Sequence, residues 1–388
     1  MRAHADKDKQ TFITTCLVFF ILSVEWGIAV GLLPIYIHEV GGSAFEVGLV
    51  ATFFAGISTF THPLWGAYSD KIGKRKVLIV FGMIGLSAIF LMMSLPKNPL
   101  ILTLIRGSTA VFVGAIVPSS FALVTDLSTK DNIGKNLGIL QFFGVAGWGV
   151  GPILGGLIAD SLGFSILWLF VAAICLVAGV FFFFLGKDPI KLEKQKEKTF
   201  LFDIFRDRKT RSRISLMSIA FSIFLLGYAL VGPNYNIHLV DGLQFSKTMV
   251  GIISFVGTII SAIIQPFVGM ASDKYGRKWF FMLGALSLTF GNLVLIFAKD
   301  TISVFLSWIL INGYNISQLI GSAYVTDVVS EEKKAVALGF FNSIGSVTRS
   351  LGAALGGILI STTSIPEILL ASSIFPLLSI IIMKFLKE

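Results

Sequence analysis

Apolar and polar positions follow one another along this chain in long blocks. Runs of roughly 20 apolar residues, the length at which a helix crosses a hydrocarbon core of about 30 Å, recur from one end to the other. The first run is too long for the core of a signal peptide, so it is predicted to be the first span. Twelve spans are predicted, at 11–38, 46–69, 77–95, 99–125, 136–160, 164–186, 213–238, 247–270, 278–297, 301–326, 335–360 and 366–386.

Composition agrees with a membrane protein built from helices. Of the 388 residues, 55% are hydrophobic and only 14% are charged, whereas a soluble domain carries about 25% charged residues. The two cysteines, Cys16 and Cys175, lie inside apolar runs, so we expect neither a disulfide framework nor a metal site. The chain has no phosphate-binding glycine loop, which argues against ATP hydrolysis, and an enzyme is not expected.

The net charge of +9 is explained by where the basic residues lie. Twelve spans put both termini on one side of the membrane, and 26 of the 31 lysines and arginines fall on that side. The positive-inside rule then predicts cytoplasmic termini and a cytoplasmic central connector, in the cell membrane. A basic binding patch in the connector is the alternative, but topology accounts for the charge without nucleic acid.

A polar segment between spans 2 and 3 is repeated between spans 8 and 9. The pattern Gly-x-x-x-Asp-Lys-x-Gly followed by basic residues begins at Gly66 and again at Gly269, and each copy has a proline three residues ahead, Pro63 and Pro266. Further matches share an offset of 201: Val124-Thr125-Asp126 with Val325-Thr326-Asp327, and Leu154-Gly155-Gly156 with Leu355-Gly356-Gly357.

The repeat predicts two related halves. Residues 1–186 and 213–388 each form a six-helix bundle, joined by a Lys-rich cytoplasmic linker at 187–212 with an amphipathic piece at 200–205. Parallel repeats of six spans, related by an axis along the membrane normal, are the architecture of one large class of secondary transporters.

These motifs carry a resemblance to the major facilitator superfamily (MFS) over essentially the whole chain. The repeated segment resembles the family's loop 2–3 signature, and 147–156 in span 5 is similar to its antiporter motif, Gly-x-x-x-Gly-Pro-x-x-Gly-Gly. The resemblance implies twelve helices in two pseudo-symmetric bundles and a monomer that moves a small molecule by alternating access. It implies an ion gradient, without a cofactor, as the driving force, and points to twelve-span drug:proton antiporters.

The resemblance also implies a gate. Asp70 is expected to latch onto the N-terminus of span 11, and Asp273 onto that of span 5, because a helix N-terminus attracts a carboxylate. Whether Lys74 or Arg75 pairs with these acids stays open, and so does the alternative that the charges only set topology. The predicted gating residues are Gly66, Asp70, Gly73, Lys74, Arg75, Asp126, Gly269, Asp273, Gly276, Arg277 and Asp327.

Glycines of span 5 lie three to four residues apart, on adjacent turns, and form one small face. Pro152 removes a backbone hydrogen bond and bends this helix. In the family that the chain resembles, span 8 packs against span 5, so the resemblance implies that this face packs closely on span 8, either as a seal in an antiporter or as plain helix packing. The antiporter-motif residues are Gly147, Gly151, Pro152, Gly155 and Gly156.

Charged residues inside the bilayer are functional candidates by default. Glu25, midway along span 1, is the only acid deep in any span; removal from water makes a carboxyl easier to protonate, so Glu25 is the candidate for proton coupling. The alternative is a structural partner for a buried arginine. Arg106 in span 4 is a candidate neighbour. Arg349 in span 11 either binds an anionic substrate or pairs with helix carbonyls.

The resemblance implies that spans 1, 4, 7 and 10 line a central cavity. Polar and aromatic cavity candidates on spans 7 and 10 are Tyr228, Asn234, Tyr235, Asn312, Tyr314, Asn315 and Gln318. Three functions remain open: a proton-coupled exporter of small amphipathic compounds, a transporter of an organic anion that uses the intramembrane arginines, and a non-transporting receptor or scaffold. The expected partners are a small-molecule substrate, protons and the lipid bilayer.

Overall fold

The computed structural model describes residues 2–95, 98–129, 132–188, 207–330 and 333–386, without the side chains of 2–6, 233 and 335. Most of the predicted linker, including the amphipathic piece at 200–205, lies outside the described residues.

The described chain is helical throughout, and it contains no strand. A five-residue π-helical turn, His238–Gly242, follows the seventh helix. The helices are α1 (Arg2–Glu39), α2 (Ala44–Ile72), α3 (Arg75–Met93), α4 (Pro99–Asp126), α5 (Ile133–Leu162), α6 (Phe164–Leu185), α7 (Arg208–Ile237), α8 (Lys247–Tyr275), α9 (Arg277–Phe297), α10 (Thr301–Ile311), α11 (Tyr314–Asp327), α12 (Lys334–Ile360) and α13 (Ile365–Lys384).

Eleven of these helices, among the residues described, are long and apolar enough to cross a membrane. The prediction of an all-α, multi-pass membrane protein is confirmed. Polar residues at helix starts satisfy backbone N–H groups that lack a partner within the helix. Asn98 accepts from the backbone N–H of Ile101 at α4, Asp207 from that of Thr210 at α7, and Asp300 from that of Ser303 at α10.

We call the two copies of the repeated segment, 66–76 and 269–278, the signature segments. The helix that enters each of them continues further than the sequence predicts. Spans predicted to end at 69 and 270 continue to Ile72 and Tyr275, because no helix-breaking residue precedes Gly73 and Gly276. These glycines adopt φ values of +62° and +95°, a conformation that favours glycine. Asp70 and Asp273 therefore stand on the last turn of a helix.

The predicted tenth span is interrupted. Helix α10 ends at Ile311 and α11 begins at Tyr314, with Asn312 and Gly313 between them. The Ser287 hydroxyl of α9 donates to the carbonyl of Leu310 at 2.7 Å, which supplies a partner for a backbone group at the break. The Asn312-Gly313 pair at the break is a turn signal in the sequence, but the apolar runs on either side of it led to the prediction of one continuous span.

The chain divides into two compact units. The first comprises Met1–Gly42, Phe53–Lys194 and Leu239–Phe255. Within it α1 packs along α5 and α6, and α3 packs between α4 and α6. Large apolar side chains such as Trp168, Phe90 and Phe182 are fully buried there.

The second unit comprises Ser43–Thr52, Gln195–His238 and Val256–Glu388. Its helices repeat the pattern of the first: α7 packs along α12 and α13, and α9 packs on α10, α11 and α13. Phe221, Phe224, Phe281 and Phe341 are its largest fully buried side chains.

Candidate transport site and gating clusters

A fully buried ion pair lies in the first unit. Glu25 of α1 is 0% exposed and Arg106 of α4 is 3% exposed, and Nη1 of the arginine lies 2.6 Å from Oε1 of the glutamate. The same Nη1 also donates to the hydroxyl of Thr109, and the guanidinium lies 4.6 Å from the ring centroid of Phe54. Oε2 of Glu25 accepts no hydrogen bond within the described part of the chain.

A second polar cluster lies in the second unit, on α7, α11 and α12. Arg349 donates through Nη1 to Oε1 of Gln318 at 3.2 Å. The rings of Tyr228 and Tyr314 stack with centroids 4.2 Å apart and an interplanar angle of 19°, and Tyr228 lies within electrostatic reach of Arg349. We call these four residues the arginine–tyrosine cluster.

The remaining cavity candidates lie apart from this cluster's hydrogen bonds. The side-chain amide of Asn312 donates to the carbonyl of Trp308, and that of Asn315 donates to the carbonyl of Asn312. Both side chains therefore satisfy backbone carbonyls around the break between α10 and α11. Tyr235 packs on Trp308 with ring centroids 4.4 Å apart. Asn234 is buried on α7.

The two units use equivalent positions with different chemistry. Gly151 of α5 packs on the carbonyl of Val24, and Gly352 of α12 packs on that of Leu226, so α1 maps onto α7 with an offset of 202. Trp26 therefore corresponds to Tyr228, and Trp148 corresponds to Arg349. In the first unit the two tryptophans meet edge to face at 6.0 Å.

An arginine holds the acids of the first signature segment together. Arg75, rather than Lys74, pairs with both acids: its Nη2 lies 2.7 Å from Oδ1 of Asp70, and its Nε lies 3.3 Å from Oδ2 of Asp126. It also donates to the hydroxyl of Ser69 at 2.6 Å. Glycines 66 and 73 flank the acid, and Gly66 approaches Pro118 of α4.

The second signature segment repeats the arrangement. Arg277 pairs with Asp273 at 2.5 Å and with Asp327 at 2.9 Å, and it donates to Ser272 at 2.6 Å. A pocket of about 340 Å³ lies beside it, lined also by Arg213. No atom of the described residues, other than its own helix, lies within 4 Å of a Cβ built on Gly269. The contacts of Asp70 with span 11 and of Asp273 with span 5 stay predictions.

The glycine face of α5 packs on α1, so the predicted packing of that face on span 8 is wrong. Cβ atoms on Gly144, Gly147, Gly151 and Gly155 would run into α1. The reason is that successive residues of a helix point about 100° apart around its axis. Gly156 therefore points away from the face that contains Gly155, and it is Gly156 that touches α8. A Cβ there would lie 2.5 Å from the carbonyl oxygen of Lys247.

At the end opposite the signature segments, α5 packs on α8 and α2 packs on α12 through matching contacts. Gly251 of α8 meets the carbonyl of Pro152, and Gly48 of α2 meets that of Ala353 in the same way. Gly357 faces the carbonyl of Ala44 as Gly156 faces that of Lys247. Small residues here let backbones touch, as they do in close helix pairs of membrane proteins.

Polar contacts at this end were missed by the sequence analysis. Asp160 of α5 accepts from the backbone N–H of Thr248 at 2.8 Å and from its hydroxyl at 2.6 Å. Thr52 and Ser350 exchange hydroxyl-to-carbonyl hydrogen bonds of 2.9 and 3.3 Å. Each of these side chains stands at an ordinary helix position, so only three-dimensional contact identifies it.

Comparison with known proteins decides the family. The sequence model described as Major Facilitator Superfamily matches residues 15–226 and 217–388. The chain belongs to the Major Facilitator Superfamily. It is therefore a membrane transporter of that family, as the signature segments indicated.

Relatives span most of the chain at low identity. An uncharacterized MFS-type transporter of Methanocaldococcus jannaschii is 25% identical over 95% of both chains. The quinolone resistance protein NorA of Staphylococcus aureus is 24% identical over 91% of this chain and 89% of NorA. Among solved structures, an inward-facing bacterial homolog of the human lysosomal transporter Spinster matches with a TM-score of 0.84 at 14% identity, covering 97% of this chain and 96% of the homolog. The last match shows the shared fold.

Proposed function

We propose that this chain is a proton-coupled exporter of small amphipathic or drug-like compounds that works by alternating access. The observation that carries the proposal is the buried Glu25–Arg106 ion pair. The similarity to the quinolone resistance protein NorA supports a drug-like substrate.

The ion pair provides a site for one proton. While Glu25 is ionised, its charge is neutralised away from water by Arg106, which donates to one of its two carboxylate oxygens. A proton taken up on the Glu25 carboxylate removes that neutralisation and leaves the Arg106 charge without its counter-ion. Uptake and release of the proton thus change the electrostatic balance between α1 and α4, which is how a proton can bias two conformations.

Charge and family support the membrane setting that we propose for the transporter. With cytoplasmic termini, the signature segments lie at the cytoplasmic face of the cell membrane. The driving force is a proton gradient and no cofactor takes part. A monomer suffices, because both units belong to one chain.

The test is uphill transport by purified protein in proteoliposomes with an acidic lumen. We expect the wild type to accumulate rhodamine B and to lose the accumulation when ammonium collapses the gradient. Glu25→Gln cannot exchange a proton, so its gradient-driven accumulation should fall at least about tenfold while dye–dye exchange persists. Asp8→Asn, which removes an exposed acid of α1, is the matched control and should behave as the wild type.

The double variant Glu25→Gln/Arg106→Gln covers the case in which a lone buried arginine prevents folding. Its neutral pair should fold and still fail to accumulate dye. Accumulation by either Glu25 variant at the wild-type rate, with the wild-type dependence on the gradient, would refute the coupling role.

A further inference from the structure

We propose that the arginine–tyrosine cluster of the second unit binds the carboxylate of an aromatic substrate. The transported compounds are then amphipathic molecules with a flat ring system and an anionic group attached to it. This inference rests on the proposed function and names the class of substrate that the exporter accepts.

The first step is the charge of Arg349. It stands in the middle of α12, between Lys334 and Ile360, and its side-chain partner is the neutral amide of Gln318. No carboxylate in the described ranges lies within 4.0 Å of its guanidinium, whereas Arg106 has Glu25. A cation at membrane depth is costly unless it is paired, so the second unit holds a positive charge that a ligand can neutralise.

The second step is that the position equivalent to Glu25 cannot hold a counter-ion. The position equivalent to Glu25 is Gly227, at the offset that relates Trp26 to Tyr228. A Cβ on Gly227 would lie 2.6 Å from the carbonyl oxygen of Ser372. Helix α13 therefore packs where an acidic side chain would begin, so this position of the second unit cannot hold the carboxylate that Glu25 supplies in the first.

The third step is the geometry around the cation. The guanidinium offers a planar fork of donors that matches a carboxylate. Oε1 of Gln318 already accepts from Arg349, which leaves the amide nitrogen of Gln318 to donate to a second ligand oxygen. The stacked, half-buried rings of Tyr228 and Tyr314 form an aromatic platform next to the fork. A flat ring extends this stack, and aromatic pairs gain energy from offset stacking.

The experiment compares two dyes that differ at one group. Rhodamine B carries a free carboxylate on its aromatic system, and rhodamine B ethyl ester has that carboxylate capped. Wild-type proteoliposomes should accumulate the acid with a KM at least about tenfold below that of the ester. Loss of a charge-assisted hydrogen bond corresponds to roughly a 10- to 100-fold change in affinity, so Arg349→Gln should raise the KM for the acid, relative to the KM for the ester, by that factor.

A second variant keeps the proposal testable if Arg349→Gln does not fold. Gln318→Glu leaves the arginine in place and puts a carboxylate beside it, as in the first unit. It should abolish the preference for the acid while gradient-driven transport of the ester continues. Arg349→Lys keeps the charge without the planar fork, and it should recover part of the preference.

The outcomes separate the two proposals. If both dyes accumulate with the gradient and the acid-to-ester ratio is the same in the wild type, Arg349→Gln and Gln318→Glu, the substrate-class inference is wrong and the exporter proposal stands. If neither dye responds to the gradient in the wild type, the exporter proposal fails, and the inference that rests on it fails with it.

Discussion

At the scale of single residues, two arginines organise the signature segments. Arg75 and Arg277 each contact the acid that ends the preceding helix and the acid that ends α4 or α11. The arginines are mostly buried, with side chains 9% and 18% exposed, while Asp70 and Asp273 are more than half exposed. Each arginine is therefore the fixed centre of its cluster, and the acids keep access to other partners.

This geometry predicts that Arg75 and Lys74 differ sharply in importance. Arg75→Gln removes the group that holds Asp70 and Asp126 together, so we expect dye transport in proteoliposomes to fall at least about tenfold. Lys74→Gln removes the charge of a neighbouring residue that is not part of the cluster of Arg75, Asp70 and Asp126. It should leave transport within about twofold of the wild type. Membrane insertion of both variants is checked by expression and protease protection. Equal transport by the two variants would contradict the assignment.

Residue types could be chosen from the sequence, but their pairings could not. Glu25 and Arg106 stood out because charges are rare within apolar runs, yet their contact at 2.6 Å depends on how α1 and α4 are rotated. The choice between Lys74 and Arg75 stayed open for a similar reason. The first segment has one residue more than the second between its glycine and its arginine, and sequence alignment alone cannot say which side chain turns inward.

At the scale of helices, small residues decide which faces touch. Spacing identified the glycine face of α5, and the family resemblance gave that face the wrong neighbour. The sequence could not correct the choice, because glycine carries no side chain that distinguishes one apolar partner from another. Helix α2 shows the same ambiguity. Gly48 packs on the backbone of Ala353, while a Cβ built on Gly56 of the same helix would meet no atom within 4 Å in the part of the chain that the structure describes.

These two glycines make a matched pair for a stability measurement. Gly56→Ala adds a methyl group in open space and favours the helix by about 0.5–1 kcal/mol, so thermal stability in detergent should stay the same or rise slightly. Gly48→Ala drives a methyl group into the backbone of α12, which has to shift, and the melting temperature should fall by several degrees. If the two variants melt together, the close α2–α12 contact is absent from the protein in solution.

At the scale of the whole molecule, the repeat in the sequence reappears as repeated packing with altered chemistry. The helix neighbours of α1 and α7 correspond, as do the backbone contacts of the α5–α8 and α2–α12 pairs. The charges do not correspond: one unit holds a neutralised glutamate–arginine pair, and the other holds an arginine beside tyrosines. Under the two proposals, proton coupling takes place in the first unit, at the glutamate–arginine pair, and the substrate carboxylate binds in the second, at the arginine–tyrosine cluster.

Alternating access requires that the α2–α12 contact open and close during transport, because these helices come from the two halves of the sequence. Thr52 and Ser350 exchange hydrogen bonds across this contact, so cysteines at both positions are close enough to be bridged. Oxidation of Thr52→Cys/Ser350→Cys should stop dye transport, and a reductant should restore it.

The native cysteines, Cys16 and Cys175, are buried and contribute little background. A matched pair within one half, Ser287→Cys/Leu310→Cys, spans a similar contact between α9 and α10 and should transport equally well when oxidised. Unimpaired transport by the bridged Thr52–Ser350 variant would show that the α2–α12 contact does not open during the cycle.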